Sequence, residues 1–187
     1  MSEKSKKDRL VAAATLLFHE RGTDATSLAD IAVRADVPVG NIYYYFKTKE
    51  ELIAASIMAQ HEEVCAHFKN VAEGIDNPKQ RLLALLDYIK QCADDTTDLG
   101  CPMGKLVMNI DIVHNPLGKQ VQEMFKNQIE WKIEQFLELG QSLDDAKNNA
   151  QNFCVKLQGA GVLAKALNDP KILTKQIDEM SCWIKAL

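Results

Sequence analysis

Three consecutive tyrosines, Tyr43 to Tyr45, form the densest cluster of hydrogen-bonding aromatic side chains in this chain of 187 residues. Asn41 precedes them and Lys49 follows them, so phenol, amide and ammonium groups stand close together in the sequence. Hydroxyl and ammonium groups bind phosphate oxygens, and an amide can bond a base edge. Because three adjacent side chains cannot all point inward from a helix, at least one tyrosine is exposed, and the stretch predicts a surface that binds DNA.

A second reactive stretch is centred on Cys101, in the sequence LGCPMG before a short helix predicted over 105–114. At a helix start, unpaired N–H groups stabilise a thiolate and raise its reactivity toward oxidants and electrophiles. An inert cysteine in a core is the open alternative. Cys101 could also be an enzyme nucleophile with His114 as its base, but no orienting acid or oxyanion loop can be assigned, so we do not expect an enzyme.

Two short helices over residues 28–47 would hold the tyrosines in place. Apolar residues at positions 28, 31, 32 and 35 share one face of the first helix, and Pro38 ends it because proline disfavours helical geometry in the preceding residue. Pro38 can then begin the second helix, which Ile42 and Phe46 would anchor. Such a helix-turn-helix reads DNA with its second helix. The outer side of that helix would carry Val39, Gly40, Asn41, Tyr43, Tyr44 and Tyr45.

At these positions the sequence resembles the TetR family of bacterial transcriptional regulators, whose signature reads roughly V-x-x-G-x-[IL]-Y-x-[YH]-F-x-[ST]-K-E-x-L. The matching residues are Val37, Gly40, Ile42, Tyr43, Tyr45, Phe46, Thr48, Lys49, Glu50 and Leu52. The resemblance is close over residues 8–56 and mostly architectural beyond them. It implies a transcriptional repressor that binds a palindromic double-stranded DNA operator as a homodimer and is released by an effector.

The resemblance also implies which residues touch the operator. Tyr43 and Tyr44 would contact the DNA backbone, and the other outward residues of the helix would lie nearer the bases. Thr26 and Ser27 could cap the first helix, and the same hydroxyls could hold a phosphate. Because one helix reads only a few base pairs, two copies should occupy successive major grooves about 34–36 Å apart. The predicted DNA-binding residues are Thr26, Ser27, Val39, Gly40, Asn41, Tyr43, Tyr44, Tyr45, Thr48 and Lys49.

The distribution of charge fits DNA binding, although the net charge of the chain is −4. Residues 1–50 hold eight Lys/Arg and seven Asp/Glu, whereas residues 51–187 hold fourteen and nineteen. Basic residues at positions 4, 6, 7, 9, 47 and 49 bracket the predicted reading helix, where phosphates would lie. The acidity of the chain therefore belongs to its second part.

Several other protein classes are not expected from the composition. No apolar segment approaches the roughly 20 residues of a membrane span, and the start of the chain does not resemble a signal peptide, so we expect a cytoplasmic protein. The five cysteines include no C-x-x-C pair, which argues against a disulfide scaffold and a zinc site. His61, His67 and His114 lack metal-ligand spacing, and we expect no metal and no cofactor.

Helical spacing of apolar residues recurs along the chain without sustained β alternation, which predicts an all-α fold of about nine helices. We expect a helix-turn-helix DNA-binding domain over 1–65 and an effector-sensing and dimerisation domain over 66–187. A long helix beginning at Thr48, with Glu51 at capping-box spacing, would connect the DNA-facing end to the rest. Ser142 with Asp145 and the pair Asp169-Pro170 should begin the last two helices.

The nature of the effector is left between two hypotheses. The G-C-x-x-x-K-L arrangement at Cys101, with Lys165 in a later helix, is similar to a TetR subgroup that senses reactive chlorine and electrophiles through one cysteine and a nearby lysine. The alternative is a hydrophobic small-molecule inducer that binds without a covalent bond in an apolar pocket. The residues predicted to line such a pocket are Tyr88, Met103, Met108, Phe125 and Trp131.

The last two helices are predicted to form the dimer. Both are apolar on more than one face, which a monomeric core would not require. The resemblance implies that they pair with their copies in a four-helix bundle. The apolar and small residues suited to this interface are Phe153, Leu157, Ala160, Gly161, Ala164, Ile177, Met180 and Trp183.

Overall fold

The computed structural model describes residues 5–187. Lys4, one of the basic residues predicted to bracket the reading helix, therefore lies outside the described residues. Every regular element in this range is an α-helix, so the all-α prediction is confirmed. None of the described helices is both long and apolar enough to cross a membrane. The helices are α1 (Lys6–Arg21), α2 (Leu28–Ala35), α3 (Val39–Tyr45), α4 (Lys49–Ala72), α5 (Pro78–Gln91), α6 (Ala93–Leu99), α7 (Pro102–Asn109), α8 (Pro116–Glu138), α9 (Leu143–Leu167) and α10 (Pro170–Ala186).

The described residues contain ten helices and not nine. The apolar spacing of the sequence predicts one helix over 81–97, whereas the structure divides this stretch into α5 and α6 at Cys92. The Cys92 N–H bonds the carbonyl oxygens of the residues three and four positions earlier, at 3.2 and 3.3 Å, as at a helix end. Asp94 and Asp95 then occupy the first turn of α6. Carboxylates are favourable at that place because the unpaired N–H groups carry partial positive charge.

The chain divides into two compact units. The first comprises the described residues up to Val64 together with Lys105–Val121, and the second comprises Cys65–Gly104 together with Gln122–Leu187. Helices α4, α7 and α8 therefore belong partly to each unit. The assignment of DNA binding to 1–65 and of effector sensing to 66–187 stays a prediction, and Lys105–Val121 groups with the first unit.

The first unit is organised to present α3. Helix α1 ends at Gly22, whose N–H bonds a carbonyl oxygen of the last turn at 2.9 Å. The turn between α2 and α3 places Asp36 in the left-handed region with φ of 51°, and the Arg9 guanidinium donates to its carbonyl oxygen at 2.9 Å. Pro38 then forms the N-cap of α3. The core that joins these helices includes the fully buried side chains Leu10, Ala14, Leu17, Ile31, Ile42 and Leu52.

The start of α4 is fixed by Thr48 and Glu51, which form one half of the predicted capping box, while the Glu51 side chain bonds the residue before the N-cap instead of the N-cap itself. The Glu51 N–H donates to the Thr48 hydroxyl oxygen at 3.2 Å, and the Glu51 carboxylate accepts the Lys47 N–H at 2.7 Å. Leu52, one residue later, is fully buried in the core of the first unit. Two reciprocal hydrogen bonds and one apolar anchor thus set the direction in which this 24-residue helix leaves the reading helix.

The second unit is built around α9 and α10. Ser142 caps α9 by accepting the Asp145 N–H at 3.2 Å, and Asp169 caps α10 by accepting the Lys171 N–H at 2.9 Å, as predicted. Between the two helices, Asn168 adopts the left-handed conformation with φ of 51°, which lets the chain reverse. The apolar face of α10 is buried through Leu173, Ile177, Met180 and Ile184.

Candidate nucleic-acid interface and effector region

Helix α3 separates a buried anchor from an exposed face. Ile42 is fully buried, whereas Tyr43 and Tyr44 are 54% and 77% exposed. Tyr45 is half-buried, packs against the core and meets the Tyr44 ring edge-on at 4.9 Å between centroids. We call the outward residues of α3, which are Val39, Gly40, Asn41, Tyr43 and Tyr44, the reading face.

The burial of Tyr45 changes one expectation. Sequence reasoning placed Tyr45 near the bases, but its ring helps to hold α3 on the core. Of the three consecutive tyrosines, two are therefore turned to solvent. A helix advances by 100° per residue, so the third ring of such a run comes round toward the inside.

The end of α3 and the start of α4 carry hydrogen-bonding groups next to the reading face. The Lys47 ammonium donates to the Tyr43 carbonyl oxygen at 2.9 Å and so satisfies an unpaired carbonyl of the last turn. Thr48 is exposed and caps α4, and Lys49 is half-exposed in its first turn. These positive groups and N–H groups lie where the resemblance expects phosphates.

Thr26 and Ser27, predicted as a pair, have different environments. The Thr26 side chain is 1% exposed, and its hydroxyl donates to the carbonyl oxygens of Leu17 and Gly22 at 3.3 and 2.8 Å. The hydroxyl is enclosed and bonded to two carbonyls, and the phosphate contact of Thr26 stays a prediction. Ser27 is exposed and makes a capping box with Asp30 in α2, with the Ser27 hydroxyl oxygen accepting the Asp30 N–H at 3.1 Å.

Cys101 is half-buried immediately before α7. The Gln158 side-chain amide of α9 donates to its Sγ at 3.4 Å. Lys165, the predicted partner of this thiol, instead donates to the Asp98 carbonyl oxygen at 2.7 Å near the end of α6. The hydrogen bonds of the described residues thus pair Cys101 with an amide and Lys165 with a carbonyl, and they do not bring the two predicted sensing residues together.

The residues predicted to line an apolar pocket do not share one environment. Met103 is buried and its sulfur faces the Gln128 amide, and Trp131 is half-buried and stacks on Phe68 at 5.0 Å between centroids. Phe125 is half-buried, and Tyr88 is 43% exposed. Met108 is 84% exposed, and its role as a lining residue stays a prediction. It falls on the outer side of a helix of only eight residues.

Sequence reasoning missed Lys132, the most unusual charged residue of the second unit. Its side chain is 2% exposed, its ammonium donates to the Gln128 carbonyl oxygen at 3.1 Å, and it also contacts the Cys154 thiol. The ammonium lies 5.0 Å from the ring centroid of Phe68 and 5.5 Å from that of Phe153. Burial lowers the pKa of Lys132, and the contact with Cys154 opposes this only in part.

A sequence signal for Lys132 did exist in the spacing of α8. Val121, Met124 and Phe136 are buried, and position 132 falls eleven residues after the first and four before the last. These intervals are whole helical turns, so the four positions share one face. A lysine on the apolar stripe of a helix is either pointing past the edge of the core or is buried, and the spacing alone does not decide between these possibilities.

Most residues predicted for the dimer interface pack inside one chain. Phe153, Ala160, Gly161, Ala164, Ile177 and Met180 are all buried within the single chain, and Leu157 and Trp183 are half-buried. These six residues of α9 and α10 are buried by their own chain, and their assignment to a contact between copies stays a prediction. The opposite side of α9 is exposed and apolar, and we call Val155, Gly159, Val162, Leu163 and Ala166 the outer face of α9.

Comparisons with known proteins identify similar chains. The family described as "Bacterial regulatory proteins, tetR family" matches residues 10–56. An uncharacterised HTH-type transcriptional regulator from the lacX 3′ region of Lactococcus lactis subsp. lactis is 26% identical over 182 residues, covering 94% of this chain and 91% of its own length. The HTH-type transcriptional repressor KstR2 of Mycobacterium tuberculosis is 31% identical over 81 residues, 43% of this chain and 40% of its own.

A solved structure has the same fold over nearly the whole chain. The crystal structure of a TetR transcriptional regulator from Legionella pneumophila superposes with a TM-score of 0.84 at 22% sequence identity. The match covers 96% of this chain and 99% of that protein. The likeness includes the helices of both compact units, whereas the family match lies within the first.

Proposed function

This chain belongs to the TetR family of bacterial transcriptional regulators, and from that membership we propose that it is a repressor that binds a palindromic operator as a homodimer and releases it when an effector binds. The family consists of regulators, so the chain is a DNA-binding regulator and not an enzyme. The KstR2 relative is named a transcriptional repressor, which supports repression as the direction of control.

The observation that carries the proposal is the reading face of α3. Two tyrosine rings that are 54% and 77% exposed, on a helix held in place by the fully buried Ile42, are costly in water unless a partner covers them. Their hydroxyls can donate to phosphate oxygens, and the exposed Gly40 lets the backbone approach a groove closely. Lys49 supplies positive charge beside them.

The dimer contact that we propose is the outer face of α9. Val155, Val162 and Leu163 are 69%, 67% and 54% exposed, and they recur at helical intervals with Gly159 and Ala166 between them. A continuous apolar stripe with small residues allows two copies of a helix to approach closely across a twofold axis. In such a dimer each copy contributes one α3, and a palindromic operator offers one major groove to each.

Release requires that the effector favour a conformation with different affinity for DNA. Helix α7 is suited to transmit such a change because its first residues belong to the second unit and its later residues to the first. The Lys105 ammonium of α7 donates to the carbonyl oxygen of His19 in the last turn of α1. A shift of α7 would therefore disturb the end of α1, where the Glu20 carboxylate pairs with the Arg34 guanidinium of α2 at 3.6 Å.

Two effector classes remain within this proposal. An oxidant or electrophile would act on Cys101, whose half-buried thiol stands before α7 and faces the Gln158 amide. A non-covalent apolar inducer would bind among the interior residues of the second unit. Titrating operator release with hypochlorite or an aldehyde in the wild type and in Cys101→Ser separates them, because an unchanged response in the variant excludes the covalent mechanism.

DNA binding is tested by measuring the affinity of the purified protein for fragments of its own promoter region by fluorescence anisotropy. We expect Tyr44→Ala to lower affinity about tenfold or more, since the ring and hydroxyl are lost from the contact. Val113→Ala is the matched control, because Val113 is 80% exposed and lies outside the reading face. Equal affinity of the wild type and Tyr44→Ala would contradict the proposal.

Salt and symmetry give a second check of the same proposal. Affinity for the operator should fall steeply with added salt, since lysines that neutralise phosphates release counterions. The footprint on DNA should contain two half-sites about 34–36 Å apart between their centres. A single uninterrupted half-site, or affinity that does not change with salt, would be inconsistent with a dimer that reads two major grooves.

A further inference from the structure

Three strong hydrogen-bond donors inside the second unit face sulfur atoms. The Lys132 ammonium contacts the Cys154 thiol, the Gln128 amide N–H donates to the Met103 sulfur, and the Gln158 amide N–H donates to the Cys101 Sγ. Sulfur is a weak acceptor, so each of these donors has a poorer partner than an oxygen atom would provide. We call Lys132, Gln128 and Gln158 the interior donor cluster.

The three donors lie on two helices of the second unit, α8 and α9, which meet where the Lys132 ammonium lies 5.5 Å from the Phe153 ring centroid. Gln128 and Lys132 occupy successive turns of α8, and the Lys132 ammonium also bonds the Gln128 carbonyl oxygen at 3.1 Å. Cys154 and Gln158 occupy successive turns of α9, and the contact between Lys132 and Cys154 joins the two helices. All the residues concerned belong to the second compact unit.

No carboxylate in the described part of the chain balances the charge of Lys132. Arg81, another basic residue of the second unit, provides a comparison. The Arg81 guanidinium donates to the Glu138 carboxylate at 2.9 Å, to the Gln135 side-chain oxygen at 3.1 Å and to the Ile75 carbonyl oxygen at 2.6 Å. It is a structural residue with a full set of oxygen acceptors. Lys132 has one backbone oxygen, one thiol and two aromatic rings.

A buried cation without an anionic partner is costly, and a fold that retains one gains nothing in stability from it. Methionine would fill a similar volume without that cost. A ligand that carries an anionic group would compensate the cost of burying the Lys132 charge. The oxygen atoms of that group would then accept hydrogen bonds from all three donors.

We propose that the interior donor cluster is the effector site and that it binds the carboxylate of a small organic acid with an apolar body. This inference rests on the proposed function, which supplies the need for an effector, and specifies its chemical class. Oxygen atoms of the carboxylate replace the sulfur atoms as acceptors. The rings of Phe68, Phe153 and Trp131 contact the apolar body.

Entry of the acid has a direct consequence for α7. Met103 and Cys101 hold their sulfur atoms against Gln128 and Gln158, and Gly104 lies so close that a Cβ there would be 3.1 Å from the Gln158 side-chain oxygen. When carboxylate oxygens accept the hydrogen bonds of the two amides, Cys101 and Met103 lose their contacts with Gln158 and Gln128. The start of α7 then moves. Binding is thereby coupled to the helix whose Lys105 bonds the end of α1.

The test compares acids with their own amides, which differ in charge and hardly in shape. Octanoate and 4-phenylbutyrate are titrated into the full-length protein by calorimetry, beside octanamide and 4-phenylbutanamide. A charge-assisted hydrogen bond in an enclosed site should favour the acids about tenfold or more. Lys132→Met should abolish this preference, and Gln158→Met should reduce it.

Lys156→Met is the matched control, because the Lys156 ammonium also lies near an aromatic ring, 5.3 Å from the Trp183 centroid, but its side chain is exposed. It should keep the preference for acids. Absence of acid binding by the wild type, equal binding of acids and amides, or a preference that survives in Lys132→Met would each overturn the inference. The wild-type comparison decides the question even if Lys132→Met does not fold.

Operator binding without any acid is measured on the same samples. If Lys132→Met binds DNA as the wild type does but no longer prefers acids, both the proposed function and this inference are supported. If the wild type prefers acids in a Lys132-dependent manner but never binds DNA, the regulator proposal fails while the acid site stands. If the wild type binds DNA but shows no preference for acids, only the inference fails.

Discussion

Helix α3 and the interface between α8 and α9 depart from the usual distribution of side chains in opposite ways. On α3, two large aromatic rings are turned to solvent although a core lies beneath the same helix. Between α8 and α9, an ammonium group is buried against two aromatic rings and one thiol, while two valines and a leucine on the far side of α9 are exposed. We expect a partner in each region: DNA on the exposed rings of α3, a ligand at the buried ammonium group, and a second copy of the chain on the exposed side of α9.

The two regions differ in how their function can be recognised. On α3 the exposed groups are contiguous in sequence, and local caps at Ser27 and Thr48 fix the helices on either side. In the second unit, Gln128 and Lys132 lie 30 and 26 positions before Gln158, and only tertiary packing brings the two helices that carry them together. A surface made by one helix can be recognised from its sequence, whereas a site made by three helices depends on which faces are buried.

The largest expected effect separates adjacent positions of α3. Ile42→Ala should lower the free energy of unfolding by about 3 kcal/mol, since a fully buried side chain leaves a cavity. Tyr43→Ala should leave the free energy of unfolding nearly unchanged and weaken operator binding, because the ring is 54% exposed. Urea unfolding and anisotropy measured on both variants check the contrast. Equal losses of stability would show that α3 has no separate reading face.

The next effect concerns the outer face of α9. Val162→Glu should prevent dimerisation, because each copy would bring a charge into an apolar contact, and operator affinity should then fall about a hundredfold as the avidity of two half-sites is lost. Sedimentation velocity and anisotropy measure the two consequences together. Lys147→Glu is the control, since it adds an exposed carboxylate to the same helix away from that face. A dimeric Val162→Glu would locate the interface elsewhere.

A smaller effect is expected from removing the buried charge. Lys132→Met should raise the free energy of unfolding by about 2 kcal/mol near neutral pH, because an apolar side chain of similar size replaces an enclosed amine. Urea unfolding of the wild type and the variant tests this directly. Arg81→Met should have the opposite sign, since it leaves the Glu138 carboxylate without its guanidinium partner. If both substitutions destabilise, Lys132 is a structural residue.

The gain in Lys132→Met should also depend on pH. Burial lowers the pKa of Lys132, so between that lowered value and the ordinary lysine value the unfolded chain binds a proton that the folded chain does not. Wild-type stability therefore rises with pH in this window, and the advantage of Lys132→Met should shrink as the pH is raised through it. The titratable group that faces Lys132 among the described residues is the Cys154 thiol of α9, and Cys154→Ser controls for its ionisation.

The sequence allowed most of the helices to be predicted, because the signals that begin and end them are local. Pro38, Ser142 and the pair Asp169-Pro170 all begin helices as expected. The choice of buried face on α9 could not be predicted, since Phe153 and Val155 are both apolar and only tertiary packing, which includes the Lys132 ammonium of α8, makes the first a core residue. Helix α9 is apolar on two sides, and the sequence offers no means of deciding which side its own chain covers.

The smallest effect compares the same capping motif in the two regions. Ser27 and Ser142 each accept an N–H from an aspartate three residues later, at 3.1 and 3.2 Å, so Ser27→Ala and Ser142→Ala should each lower the free energy of unfolding by about 1 kcal/mol.

Side-chain and backbone hydrogen bonds from Ser27 lower the pKa of Asp30. The stability that this carboxylate contributes is therefore present above its ordinary pKa and is lost as the pH falls through the lowered value. The difference in the free energy of unfolding between the wild type and Ser27→Ala should therefore diminish in acid.

Only Ser27 lies at the start of a helix in the predicted DNA-binding domain. Ser27→Ala should therefore also weaken operator binding, whereas Ser142→Ala should not. Equal operator affinity of the two variants would mean that the Ser27 hydroxyl serves the helix alone and that the contact with phosphate begins at α3.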